Sequence, residues 1–277
     1  MDKLLLEQSL SEAIRSSLHE IHVHDLVDST NLQALRLLES GVRDNHLIVA
    51  NAQSSGRGRR GRNWLSPAYS GLYMSLLYFF PATRLHAKGA DNTHPYQGLS
   101  LVTALSVFDA LRDFCPDSLG LKWPNDVLVD HRKLAGILLE IRTITDCFPV
   151  VIGIGVNLNL SPSQRSKIDR PVSALNEWSD PLPASEMLAG QIMSLLLTNI
   201  EHYLRDGFAP FRTCWNSRDI YLGTEVTIDN DRQQLVGKSM GVDTNGALLL
   251  QTSDGEERIS GGEVFPSLRS AAGVVQQ

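Results

Sequence analysis

Four arginines and three glycines occupy seven consecutive positions, Gly56-Arg57-Gly58-Arg59-Arg60-Gly61-Arg62, in a chain whose formal net charge is -6. A basic knot in an acidic protein asks for a local anionic partner. The planar guanidinium grips carboxylate or phosphate oxygens through two parallel hydrogen bonds, and glycine lets the backbone turn sharply and approach a ligand closely. Arg/Gly segments also occur as disordered RNA-binding tails, but those repeat at length. This block is single and follows the apolar run Leu47–Ala52, which reads as a buried strand, with Trp64 just beyond it. It is therefore read as a loop at a strand end, where ligands gather. No Gly-Lys-Ser/Thr follows the glycines, which excludes a Walker A loop.

Three further stretches carry chemistry. Residues 121–140 read as strand, Pro-Asn-Asp turn, strand, His-Arg turn, strand, with Lys122, Asp126 and Lys133 at the edges of apolar runs. Lys133 leads into the run Leu134–Leu139, so its ammonium borders a dry floor; the plain structural alternative is an ion pair with Asp126. Asp126 offers an oxygen that suits Mg²⁺. In Val150–Asn159 the alternation of a strand sets Gly153 and Gly155 on one face, a smooth floor for a flat ligand or another backbone. The third glycine of a dinucleotide fingerprint is missing and no helix follows, so a Rossmann site is excluded. Finally, Asp28-Ser29-Thr30-Asn31 precedes the periodic Leu32, Leu35 and Leu38, as a helix N-cap does. The same hydroxyls and amides can hold a ligand's polar head.

The elements that must position these residues can be read from periodicity. Leu6, Leu10, Ile14 and Leu18 predict one amphipathic helix over 1–20, and Ile21–Leu26 a short strand carrying His22 and His24, isolated histidines without metal spacing. Leu72–Phe80 reads as a strand with Leu72, Met74, Leu76, Tyr78 and Phe80 on one face. A polar loop, 81–96, leads to a helix over Gln97–Phe114 with Leu101, Leu105, Phe108 and Leu111 on its buried stripe. After a Ser/Pro-rich connector, the longest helix spans Ala184–Asp206 and stops at Gly207. From Ile220 the pattern changes to short strands, Glu225–Asp229, Gln233–Val242, Ala247–Thr252 and Glu256–Ile259, with hairpin turns at Asn245-Gly246 and Asp254-Gly255. That reads as a small β-barrel forming a second domain.

At 277 residues, 42% hydrophobic and 20% charged, the chain has the composition of a globular protein with one large domain and a small one. Its acidic balance argues against nucleic-acid or membrane binding through the whole surface. Cys115, Cys147 and Cys214 are scattered, as in a reduced cytoplasmic protein, and no signal peptide or membrane span is expected.

In register and order, Gly-Arg-Gly-Arg-Arg-Gly-Arg with Trp64, Lys-Trp-Pro-Asn-Asp at 122–126, Lys-Leu-Ala-Gly at 133–136 and Gly-Ile-Gly-Val-Asn at 153–157 resemble the biotin–protein ligases. The likeness takes in Ser29-Thr30-Asn31 and runs to the C-terminal barrel. It implies an α+β fold, a mixed or antiparallel sheet flanked by helices as in class II synthetase-like biotin/lipoate ligases, with an SH3-like barrel. The expected division is a catalytic domain over 1–217, the barrel over 218–268 and a disordered tail over 269–277. The implied substrates are ATP and biotin, with Mg²⁺, and the implied acceptor is the biotin carboxyl carrier protein of acetyl-CoA carboxylase. By position, Ser29, Thr30, Asn31, Gln53, Arg57, Gly58, Arg59, Lys133, Gly136 and Gly155 fall to biotin. Arg59, Arg62, Trp64, Lys122, Asn125, Asp126 and Asn157 fall to ATP, with Asp126 toward the metal. Lys133 and Arg59 are the expected catalytic cations. The family includes helix-turn-helix repressors and edge-strand dimers. The short stretch ahead of the core leads to an expectation of no DNA binding, and a homodimer is compatible. Lipoate–protein ligases share the core, but the Arg/Gly block and Lys-Trp-Pro-Asn-Asp favour biotin. An RNA-binding role for the barrel is disfavoured by Asp229, Asp231, Asp243, Asp254, Glu256 and Glu257.

Overall fold

The computed structural model describes residues 1–80, 96–142, 148–229 and 234–266. The loop expected at 81–96 (apart from Tyr96), Cys147, Asp231, Gln233 and the tail beyond 266 fall outside the described residues. The chain opens with two short helices, α1 (Lys3–Ser9) and α2 (Glu12–Ser16), where the periodicity predicted one. Leu10 takes extended backbone, and Ser11 starts a new helix by accepting a hydrogen bond from the Ile14 amide. A good N-cap in mid-pattern overrides the apolar spacing.

Seven strands then build one sheet: β1 (Glu20–Val27), β2 (His46–Gln53), β3 (Gly71–Phe80), β4 (Leu119–Lys122), β5 (Asp126–Val129), β6 (Arg132–Ile141) and β7 (Phe148–Asn157), in the order β1-β2-β3-β7-β6-β5-β4. β1 and β2 run parallel and the other neighbours antiparallel. A parallel pair requires a crossover, and α3 (Thr30–Glu39) supplies it, so Ser29–Asn31 stand where the chain leaves β1. The central strands are covered on both faces. Leu72, Met74, Leu76 and Phe80 of β3 join the main core with α4 (Leu99–Leu111) and α6 (Ser185–Asp206). Leu77, Ile48 and Val151 instead meet Ala34, Leu35 and Leu38 of α3. Two further short helices, α5 (Pro162–Arg165) and α7 (Arg212–Asn216), flank α6 in the chain.

The second sheet is antiparallel: β8 (Glu225–Asp229), β9 (Gln234–Val242), β10 (Leu248–Thr252), β11 (Gly255–Ile259) and β12 (Glu263–Pro266), in the order β11-β10-β9-β8-β12. The hairpin glycines behave as predicted, Gly246 at φ +83° and Gly255 at φ +130°. β12 was not predicted, being four residues long. Among the described residues β11 and β12 do not pair, so the expected barrel is an open sheet in its hydrogen bonding. The two sheets are stitched together. Trp123 Nε1 donates to the Gly246 carbonyl at 3.1 Å, and residues 218–220 bond along the outer edge of β4. No helix among the described residues is long and apolar enough to cross a membrane.

Candidate active site

The sheet register puts chemistry in a row. Lys122 lies opposite Asp126, Asp126 opposite Gly136, and Gly136 opposite Gly155. Four strands thus present two charges and a bare glycine floor side by side. A bulge between β5 and β6 shifts the register next to Lys133, a device that re-aims a side chain. The Lys133 side chain lies over Gly136, where an added Cβ would stand 2.8 Å from Nζ. At the far end, Gln53 closes β2 and the Arg/Gly loop follows it. Together these walls enclose a cavity of ≈ 640 Å³, which every candidate residue named from the sequence lines. That volume suits a drug-sized ligand.

At its centre three cations, Arg59, Lys122 and Lys133, surround Asp126, while Asp169 and Glu263 also line the cavity. Lys133 Nζ stands 2.5 Å from Asp126 Oδ1 as an ion pair lacking the alignment of a hydrogen bond. The ion pair with Asp126 foreseen as the plain structural alternative for Lys133 is therefore present. Burial lowers the pKa of Lys122 from its ordinary value, opposed by Asp126 and Glu263. Burial does the same to Arg59, again opposed by Asp126. Arg59 Nη1 donates to Asn125 Oδ1 at 3.2 Å, while Asn125 Nδ2 donates to the Ile137 carbonyl at 2.6 Å. The donor set fits magnesium as an ion carried by a polyanionic ligand. Asp126 supplies one carboxylate amid three cations, and Mg²⁺ commonly takes one or two carboxylates with substrate phosphates.

The Arg/Gly block is a small hairpin. Arg57 pairs with Asn63, Trp64 N donates to the Gly56 carbonyl at 2.8 Å, and a 3₁₀ turn over Arg59–Gly61 closes it. Gly56 cannot be replaced without conflict, since an added Cβ would lie 2.4 Å from the Trp64 carbonyl. Arg60 sits at φ 55° in the left-handed region. Acids far away in sequence hold the arginines. Arg57 pairs with Glu140 at 3.0 Å, Arg62 with Glu263 at 2.6 Å, and Arg60 donates to the Asp229 carbonyl at 3.0 Å. Hydrogen bonding to Glu263 raises the pKa of Arg62. Burial works to raise that of Glu263, but its bond to Arg62 prevails and the pKa is lowered.

The glycine floor differs from the expectation of an open surface. Trp64 covers Gly155, where a Cβ would meet its ring at 2.6 Å, and Asn31 covers Gly153, where a Cβ would meet its Oδ1 at 2.2 Å. The glycines make room for the protein's own indole and carboxamide. Trp64 carries Lys133 Nζ 5.3 Å from its ring centroid, and its Nε1 is buried without a partner. An orphan donor inside a cavity is a place for a ligand acceptor.

The start of α3 also departs from simple capping, because Ser29 makes no side-chain cap bond. A relay runs instead through the cavity wall. Gln53 Nε2 donates to Ser66 Oγ, and Gln53 Oε1 accepts from Thr30 N and Oγ1. Ser75 Oγ then bridges Thr30 and Asn31, and Asn31 Nδ2 reaches Glu140 Oε2 at 2.9 Å. Sequence reasoning missed Ser66, a loop residue, and Ser75, Glu140 and Glu263, single polar residues in strands, because none of them carries a motif. Asn157 gives Nδ2 to the carbonyls of Lys133 and Ser173, so it braces the strand that bears Lys133.

Comparison with known proteins completes the description. Residues 23–157 match the Biotin/lipoate A/B protein ligase family, and residues 221–265 match the Biotin protein ligase C terminal domain. The chain is 34% identical over 246 residues to the Biotin--[acetyl-CoA-carboxylase] ligase of Paracoccus denitrificans, covering 86% of this chain and 97% of that one. It is 34% identical over 255 residues to the Bifunctional ligase/repressor BirA of Escherichia coli (strain K12), covering 91% and 74%. Among solved structures, the biotin protein ligase from Aquifex aeolicus in complex with biotin and ATP superposes with a TM-score of 0.72 at 28% identity, covering 90% and 98%.

Proposed function

We propose a reaction for this cavity on the premise that the chain belongs to the biotin/lipoate A/B protein ligase family. The protein is an ATP-dependent biotin–protein ligase that forms an amide bond. Biotin's carboxylate attacks the α-phosphorus of ATP, giving biotinyl-5′-AMP and releasing pyrophosphate. A lysine amine of the biotin carboxyl carrier protein of acetyl-CoA carboxylase then attacks the acyl carbon. The amide forms, the amine loses its proton, and AMP leaves with the electrons of the broken C–O bond.

The observation that carries this reading is the convergence of Arg59, Lys122 and Lys133 around Asp126 in one cavity. The first step brings an anion up to a polyanion, and fixed cations in a partly dry site lower that barrier. Lys133 exchanges Asp126 for the carboxylate and the α-phosphate. Arg62 exchanges Glu263 for phosphate, and Lys122 balances the phosphates from the opposite wall. Ser29, Thr30, Asn31 and Gln53 meet biotin's ureido ring, pre-arranged by their relay. Gly136 and Gly155 keep the floor thin enough for Trp64 to lie flat and stack on adenine. Asn157 commits its amide to backbone, so its contact to the nucleotide falls to Oδ1. Asn125 and Asp126 would hold magnesium, which would supply charge neutralisation for the leaving pyrophosphate. Arg57-Gly58-Arg59 form the lid that keeps water from the adenylate.

Residues 1–217 hold the reactants in this account, and 218–268 brace the loop just after the lid, Arg60 through the Asp229 carbonyl and Arg62 through Glu263. The site of action is the cytoplasm, consistent with the free thiols of Cys115 and Cys214. The test is ATP–pyrophosphate exchange with biotin, with lipoate and with neither acid. Exchange that requires biotin supports the reading. Exchange with lipoate alone, or with neither, overturns it.

A further inference from the structure

A second cluster of chemistry lies at the opposite end of the β1–β2 pair. The parallel register sets Glu20 opposite His46, and strand alternation puts Glu20 and His22 on the same face. His22, which looked isolated in the sequence, therefore meets Glu20 and His46. His22 Nε2 stands 2.9 Å from His46 Nδ1 and 3.6 Å from Glu20 Oε2. One ligand atom from each of the three lies within 4.8 Å of the others. The rings of His22 and His46 stack at 5.2 Å with 19° between their planes. His24 stacks on His22 at 6.4 Å and His19 lies against His46 at 5.2 Å. None of these residues lines the active-site cavity.

We propose that Glu20, His22 and His46 form a binding site for a divalent transition-metal ion of the zinc type. Two imidazole nitrogens and a carboxylate oxygen are a donor set that zinc accepts with water in the fourth position. Bonds of 2.0–2.1 Å to a tetrahedral ion separate neighbouring donor atoms by roughly 3.3 Å, and the measured 2.9 and 3.6 Å bracket that value. The third pair, Glu20 and His46, lies within 4.8 Å, and the exposed Glu20 side chain on the edge strand can swing to close it. The proton of the hydrogen bond between His22 Nε2 and His46 Nδ1 would move to the far nitrogen of its ring as the ion binds, leaving both facing nitrogens as lone-pair donors. His46 is 3% exposed, so one ligand is fixed by packing, while Glu20 and His22 complete the site from the edge strand.

The ion would act structurally. It lies about 23 Å along the strands from Val27 and Gln53, the paired residues at the catalytic end. Clamping β1 onto β2 holds the edge strand from which α3 and Ser29–Asn31 depart. The test uses untagged full-length protein titrated with Co²⁺, followed by its visible d–d absorption, and then challenged with Zn²⁺. The proposal expects a tetrahedral cobalt spectrum saturating at one equivalent, bleached by zinc, with a melting temperature that rises when zinc is added. His22→Ala should lose the spectrum and the thermal shift while keeping biotin-dependent exchange. Glu20→Gln should weaken binding, and His202→Ala, a control at an exposed position on α6, should change nothing. Absence of a one-equivalent spectrum in the wild type, or its persistence in His22→Ala, would overturn the site.

Discussion

Lys133→Ala separates catalysis from stability more sharply than any other change in the cavity. The side chains of Lys133 and Asp126 are 15% and 17% exposed, so their pair is largely withdrawn from water. Removing one partner of a fully buried pair costs about 3–5 kcal/mol because the other charge is left uncompensated. Here Asp126 keeps Arg59 and Lys122 as cationic neighbours, and the stability loss should be nearer ~1 kcal/mol, the range of a partly exposed pair. The catalytic loss is larger. A fixed cation aimed at developing charge contributes about 3–4 kcal/mol to the transition state, so biotin-dependent pyrophosphate exchange should fall about 10²–10³-fold at saturating substrates. Lys133→Arg should not restore it, since the broader guanidinium must fit between Gly136 and the Trp64 ring. Exchange kinetics and a thermal melt on the same preparation read both quantities. A folded Lys133→Ala protein with normal exchange would refute the role, and the charge would then have to come from Arg59 and Lys122.

Three other changes probe different parts of the argument. Gly155→Ala places a methyl group 2.6 Å from the Trp64 ring. The overpacking should cost about 1–3 kcal/mol and raise the KM for ATP; an unchanged KM would remove Trp64 from the nucleotide site. Arg59→Ala loses a bond to Asn125 at about 1 kcal/mol of stability, yet should release biotinyl-5′-AMP to hydrolysis roughly ten-fold faster. Direct timing of adenylate decay decides it, and an unchanged lifetime would sink the lid. Asp219, 8% exposed, has its pKa raised by burial from 3.8 to about 6. The folded state thus holds this proton more tightly. Its contribution is fully present below about pH 4, is lost as pH rises toward 6 and is gone above. That amounts to about 3 kcal/mol over the interval. Asp219→Asn should flatten the melting temperature between pH 4 and 8 and stabilise the protein at pH 8; a parallel pH profile would show the carboxyl is not the source.

The fold was legible where periodicity and punctuation agreed. Leu72–Phe80, an almost unbroken apolar run of strand length, lies within β3, and the hairpin glycines mark turns at positive φ. The long helix starts one residue after its predicted first position and ends at Gly207. Errors came where one cue beat another. Ser11 caps a second helix inside a pattern that periodicity alone would have continued. β12, with Glu-Val-Phe-Pro, is too short to show a period and is defined by its partner β8. Glu20 and His46 are 26 positions apart, and only the parallel register, a property of the crossover, makes them neighbours.

The candidate site shows the same divide at finer scale. Glycines and arginines announce themselves because their backbone freedom and charge are rare in combination. What decides where an arginine points is the acid that holds it, and Glu140 and Glu263 stand 83 and 201 residues from their partners. Each of those acids is an anion occupying a place that a ligand's carboxylate or phosphate can take. In the proposed reaction the loop would work by an exchange of anions: Arg57 would leave Glu140, Arg62 Glu263 and Lys133 Asp126 as substrates enter. Such an exchange conserves most of the charge pairing on both sides, so closing over the ligand costs little electrostatic energy while shutting out water. It also links the second sheet to chemistry in the first, because Glu263 belongs to β12 and receives no catalytic signal from its own sequence. A residue with no motif can thus govern whether the most conspicuous motif in the chain is free to act.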